Sequence, residues 1–238
     1  MPGTRRRRLL VILPGLVLAP ALGWGAYAAV AWLTFGHPRP AGTSDPLMDR
    51  HLPHPDIAEV HQTRVAAPPS VTYAVARRMD LQRSGIIHAI FRGRELILGA
   101  TPDARRPHVP LVDELLSLGW GVLEDVPGRQ LVFGAVTQPW RTDVVFRALP
   151  RESFASFDSA GYVKIVVTLA VDSVGPSDSV FRTETRALAT NPAARAKFRR
   201  YWSVFSPGIL LIRREAVRLV RREAERSEAK RGPASQPS

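Results

Sequence analysis

An α+β fold is what this 238-residue sequence predicts: a curved antiparallel sheet wrapped around a long C-terminal helix, with an N-terminal transmembrane helix ahead of it. Three observations carry the prediction. Tyr162 to Asp172 alternates strictly, with Val163, Ile165, Val167, Leu169 and Val171 on one side. Tyr162, Lys164, Val166, Thr168 and Ala170 take the other, the period of a strand with two different faces. A turn at Gly175-Pro176 then leads to a second alternating stretch, and two helices close the chain. Finally, Leu9 to Gly36 carries no charged side chain over 28 residues.

Composition narrows the function classes. A hydrophobic content of 45% with 23% charged residues is that of a globular protein. The absence of cysteine excludes disulfides, zinc–thiolate sites and a cysteine nucleophile. The net charge of +12 invites a nucleic-acid reading, but its distribution argues against one. Arg5 to Arg8 supply four positive charges, and the eight Lys/Arg from Arg213 to Arg231 exceed the four glutamates among them by four more. Charge gathered at the two ends, without an aromatic ribonucleoprotein motif or a recognition helix, suits an anionic membrane surface better than nucleic acid.

The apolar run is longer than the roughly 20 residues that cross a bilayer. It predicts an anchor over residues 9–36, with the basic segment 1–8 cytoplasmic and the main domain outside the cytoplasm. Trp24 and Trp32 are suited to an interface. The competing reading is a cleaved signal peptide with a site near Ala26-Tyr27-Ala28, but the apolar core of such a peptide is typically about 7–15 residues. Residues 37–55, rich in Pro, His, Gly and Asp, read as a linker.

The folded domain is expected over 56–230. Ile57 to Ala66 reads as a first strand, ended by Pro68-Pro69. Ser70 opens a helix with Val71, Ala74, Val75 and Met79 at helical spacing, and Ser84 opens a second with Ile86, Ile87, Ile90 and Phe91. After a polar loop, Leu111 to Leu118 reads as a short helix ended by Gly119. Trp120 to Glu124 and Gln130 to Val136 read as strands joined at Pro127-Gly128. Phe146 to Leu149 and Phe154 to Phe157 are expected as further short strands. The strand Val180 to Leu188 places Phe181, Thr183, Thr185 and Ala187 on one face and Arg182, Glu184 and Arg186 on the other. Asn191 caps the next helix, with Pro192 in its first turn. Pro207-Gly208 is expected to break that helix, and a last helix runs from Ile209 to Glu228, its arginines outward. Residues 231–238 read as a disordered tail.

This order resembles the helix-grip fold of the START-like superfamily, also called SRPBCC, and its bacterial membrane-anchored members. The resemblance covers Asp56 to Glu228. It rests on Ala66-Ala67-Pro68-Pro69-Ser70 entering the first helix, Thr183-Glu184-Thr185-Arg186, Tyr201-Trp202 with Pro207-Gly208, and Ile212-Arg213-Arg214. It implies a sheet gripping the last helix around an apolar cavity, where many relatives bind lipids, sterols or polyketides and some catalyse. The anchor and the stretch between Gly99 and Trp120 depart from the usual pattern. Fold likeness does not transmit a function.

The candidate ligand-binding residues are Arg182, Glu184 and Arg186, with Tyr201 and Trp202. Glu184 between two arginines on one strand face reads in two ways. Turned into a cavity, the arginines hold an acidic head group. Turned outward, the trio is a salt-bridge ladder. The aromatic set Phe198, Tyr201, Trp202 and Phe205 either lines a pocket or fills the core. Glu124-Asp125, beside a turn, read as solvated acids. No catalytic residue, metal ligand or cofactor is assigned: the six histidines have no metal spacing, although Asp56, His61 and His88 could converge, and no nucleophile elbow or phosphate loop occurs. Arg218, Arg221 and Arg222 are the candidate membrane-surface residues. The expected function is a membrane-anchored, non-catalytic binding domain for a lipid or hydrophobic small molecule. An accessory protein with a filled core and a protein partner, and an enzyme of the polyketide cyclase type, are the alternatives.

Overall fold

Five strands form one fully antiparallel sheet in the order β1-β5-β4-β3-β2: β1 Ile57–Val65, β2 Gly121–Val126, β3 Gln130–Thr137, β4 Val163–Ser173 and β5 Ser179–Ala189. The computed structural model describes residues 22–37, 45–81, 84–85, 87, 89–90, 93, 99 and 109–231. Alternation sets the register. Val163 pairs with Ala189 and Leu169 with Thr183, so the apolar sides of β4 and β5 fall on one face.

Helices lie on both faces: the first, third, fourth and sixth in chain order cover this one, and the second and fifth the other. A helix over residues 22–34 (α1) comes first, and α2 is Pro46–Asp49. Helix α3 is Pro69–Arg78, α4 Leu111–Ser117, α5 Arg151–Phe154 and α6 Pro192–Arg231. The largest buried cluster joins Val71, Tyr73 and Ala76 of α3 to Phe133, Leu169 and Phe181 of the sheet and to Val217, Val220 and Ala224 of α6. Gly119 ends α4 at a φ of 93°, and a side chain there would meet the Phe146 carbonyl oxygen at 2.3 Å.

Several expectations are corrected. Pro207-Gly208 does not break the last helix: α6 runs unbroken through Pro207 for 40 residues. An interior proline costs about 3 kcal/mol. Here Phe198 and Trp202 before it, and Leu210, Val217 and Val220 after it, are all buried, and that continuous packing offsets the cost. Phe146 to Leu149 contributes only an isolated bridge, Val136 with Arg147. Phe154 belongs to helix α5, where it is fully buried, rather than to a strand. Of the expected second helix, residues 85, 87, 89, 90 and 93 are helical, while Ile86, His88 and Phe91 lie outside the described residues, as do residues 232–238 of the tail.

The expected linker is folded from Asp45 onward. Asp45 caps α2, accepting hydrogen bonds from the backbone of Leu47 and Met48, and Met48 and Leu52 are buried. With Leu123, Val132, Phe154 and Val166 they form a cluster on the outer face of the sheet. Gly134 admits it: a Cβ there would stand 2.5 Å from Leu123.

The expected anchor is also only partly as read. Residues 9–21 lie outside the described residues. Residues 22–34 are helical, and Ala31 and Phe35 are buried against Ile57, Val163, Ala187, Phe198 and Trp202. Arg199 donates to the Trp32 carbonyl from Nε at 3.0 Å and lies 4.2 Å from the Trp32 ring centre. These apolar side chains have found an apolar partner within the chain itself. Among the described residues no helix is long and apolar enough to cross a membrane.

Candidate functional site

The face of the sheet beneath α6 is not filled. A cavity of about 990 Å³ lies between the sheet and α6, at the large end of ligand pockets. β4 contributes Ile165, Val167 and Leu169; β5 contributes Phe181, Thr183, Thr185 and Ala187. From α6 come Phe198, Tyr201, Trp202, Phe205, Ile209, Ile212, Arg213 and Ala216. Helix α4 adds Leu111, Glu114 and Leu115, and α1 adds Trp24 at the opening. The walls are mainly aliphatic and aromatic. Trp24 is tied across the opening by its indole N–H, which donates to the Val204 carbonyl at 3.0 Å.

Tyr201 and Trp202 therefore line the cavity, and the aromatic set belongs to both of its readings. Phe198 and Trp202 are buried in the packing while also presenting surface to the cavity. Tyr201 stacks on Phe205 with ring centres 4.8 Å apart.

Arg182, Glu184 and Arg186 do not line it. They occupy the opposite face, as the alternation of β5 requires, and the folded segment after Asp45 covers them. Glu184 is fully buried. Arg186 Nε donates to Glu184 Oε1 at 2.6 Å, and its Nη1 donates to Asp49 and to the Leu52 carbonyl. Arg182 Nη1 donates to Asp45 Oδ2 at 3.0 Å, and Gln130 donates to the same oxygen at 2.8 Å. Burial works against the Arg186 charge, but the bonds to Asp49 and Glu184 outweigh it and hold its pKa above the ordinary arginine value. The trio fastens the segment to the sheet, on the face away from the cavity.

Glu124 is corrected as well. A bulge between Val122 and Glu124 lets Leu123 and Glu124 both turn to the outer face. Glu124 is buried there, 3.1 Å from His51 Nε2 and 2.8 Å from Arg151, while Asp125 is exposed. Lys164, on the same face, donates to the Ala155 carbonyl at 2.7 Å, and burial lowers its pKa, partly offset by Asp158. Asp56 is held by Arg195 at 2.8 Å and by the Ala189 amide at 3.0 Å, and His88 lies outside the described residues. Among the described residues no group of three His, Asp or Glu side chains could hold a metal ion.

On the cavity side, the sequence names His61 only as convergent with Asp56 and His88, places Arg213 outward and gives Glu59 no role. Glu59 and His61 sit directly opposite Thr185 and Thr183 across the β1–β5 ladder. Arg213 reaches over them from α6. It lines the cavity and is partly buried, with its Nε fully enclosed. Burial lowers its pKa to about 10, against the opposing pull of Glu59. His61 is held below its ordinary value by burial first and then by Arg213 and Arg214. A signal existed: Ile209, Arg213, Ala216, Val220 and Ala224 follow helical spacing, so Arg213 interrupts the inward stripe.

Arg218, Arg221 and Arg222 are exposed, as their spacing implies, with Arg221 held by Glu225 at 3.1 Å.

No family model and no curated protein matches the chain. Two solved structures are similar over most of its length. CalU16 from Micromonospora echinospora is 13% identical, with 72% of this chain and 86% of that one covered and a TM-score of 0.25. A solution structure from Thermobifida fusca is 14% identical, with 70% and 92% covered and a TM-score of 0.30. Likeness at this level assigns neither a ligand nor a reaction.

Proposed function

We propose that the chain is a non-catalytic binding domain of the SRPBCC type that holds a hydrophobic small molecule or lipid between the sheet and α6. The apolar cavity of about 990 Å³ is the observation that carries this reading. A cavity of that size in a close-packed protein forfeits packing that a ligand would restore. It also weighs against an accessory protein with a filled core. The enzyme alternative, of the polyketide cyclase type, draws on Glu59, His61 and Arg213, a set of ionisable groups gathered on the cavity face of the sheet.

Membrane tethering belongs to the same proposal. The uncharged run from Leu9 and the outward side of α1, where Leu22, Val30 and Leu33 are well exposed, supply apolar surface for a bilayer. Arg218, Arg221 and Arg222 supply positive charge for its anionic lipids. The ligand would then enter past Trp24 from the membrane side.

The test is native mass spectrometry and solvent extraction of the purified full chain. A co-purifying lipid or apolar metabolite supports the reading. An empty protein that also ignores a panel of hydrophobic ligands rejects it.

A further inference from the structure

Within that binding reading, one group on the cavity wall selects the ligand's head. Among the described residues Arg213 makes no hydrogen bond or ion pair, and its Nε is buried without a partner. Glu59 acts on it only through space. The Thr185 hydroxyl, across the cavity wall on β5, is likewise buried without a hydrogen-bond partner. Thr183 lies two residues away on the same strand face. A guanidinium facing an apolar space, with no acceptor of its own, is costly for the empty protein and suited to an incoming anion.

We propose that Arg213, with the Thr185 hydroxyl, binds the carboxylate of a hydrophobic carboxylic acid whose apolar body fills the cavity. The head carries a single charge because the site does. Arg213 offers one positive charge, and the nearby Glu59 carboxylate would repel the second charge of a phosphate monoester. A carboxylate accepts two parallel N–H bonds from a guanidinium and can still accept from a hydroxyl. The aromatic wall from Phe198 to Phe205 receives the body at the other end.

Trp24, Trp120 and Trp202 line the cavity, so intrinsic fluorescence reports occupancy. The full chain is titrated with hexadecanoic acid and hexadecanol, and with a fused-ring acid and its alcohol. The acid of a pair should bind about 10-fold or more tightly than its alcohol, the usual effect of a charge-assisted hydrogen bond. Arg213→Gln should bring the acid down to the alcohol's affinity and leave the alcohol unchanged. Arg213→Lys should keep part of the preference. Thr185→Val, which keeps Arg213, should lose a smaller part of it. Acid and alcohol binding alike to the native chain, or an acid preference that survives Arg213→Gln, overturns the head-group assignment while leaving the carrier reading intact. No binding by any of the four probes overturns both.

Discussion

The two faces of β5 make opposite use of polar and apolar side chains. On one, Arg182, Glu184 and Arg186 pair with each other and with Asp45, Asp49 and the Leu52 carbonyl, and Glu184 Oε2, without a hydrogen bond, lies 3.6 Å from Arg182 Nη1. On the other, Phe181, Thr183, Thr185 and Ala187 border open space with one unpaired guanidinium above them. Charge density therefore marks the face that the Asp45–Leu52 segment covers, and vacancy marks the face proposed to hold a ligand. A buried cluster whose charges are paired with one another contributes to folding, whereas a lone charged group beside a void remains available to a ligand.

The sharpest way to break the comparison is at Glu184. Glu184→Ala leaves Arg182 and Arg186 without their shared carboxylate in a buried site. Removing one partner of a buried ionic set costs about 3–5 kcal/mol. The urea midpoint should fall accordingly, while the affinity of the remaining folded fraction for a fluorescent hydrophobic probe should not change. A variant of native stability with weakened binding would reverse the roles assigned to the two faces.

The opposite experiment fills the void. Val167 lines the cavity from β4 and is only partly buried, its open side being cavity surface. Val167→Trp should lower probe affinity by about 10-fold or more, equivalent to at least about 1.4 kcal/mol. Its stability should stay within about 1 kcal/mol of native, because the added ring enters space that is already empty. Large destabilisation would mean that the cavity closes in solution.

A smaller effect is expected at the opening. Trp24→Ala removes one exposed hydrogen bond and part of the rim. Stopped-flow release of a bound probe should quicken a few-fold, in line with the roughly 0.5–1.5 kcal/mol of such a bond. An unchanged rate would place the entry route elsewhere.

The sequence displayed the faces but not their occupancy. Strict alternation in β4 and β5 was enough to assign each side chain to a side and, with the long helix, to predict the α+β architecture. Three features were hidden for physical reasons. The segment from Asp45 to Leu52 has too few apolar residues for a periodic pattern, yet Asp45, Met48 and Leu52 each find a buried partner. The continuity of α6 across Pro207 depends on packing against the sheet, which outweighs local propensity. Arg213 resembled the outward arginines beside it, and only its place in the inward stripe separated it from Arg214.

His61 gives the finest test of the cavity side. It is half-buried, and burial together with Arg213 and Arg214 depresses its pKa below 6.5. The folded protein then takes up the proton less readily than the unfolded chain. Any contribution is complete above the unfolded value near 6.5 and is lost as pH falls through the lower folded value. His61→Gln should therefore flatten the decline in stability between about pH 7 and 5. The difference should be well under about 1 kcal/mol, since solvent screens a group with this much exposure. A carboxylate bound at Arg213 would cancel part of the positive field at His61, so saturating acid should shrink the difference between the two proteins and the matching alcohol should not. Equal effects of acid and alcohol would mean that the charge of the ligand does not reach Arg213 at all.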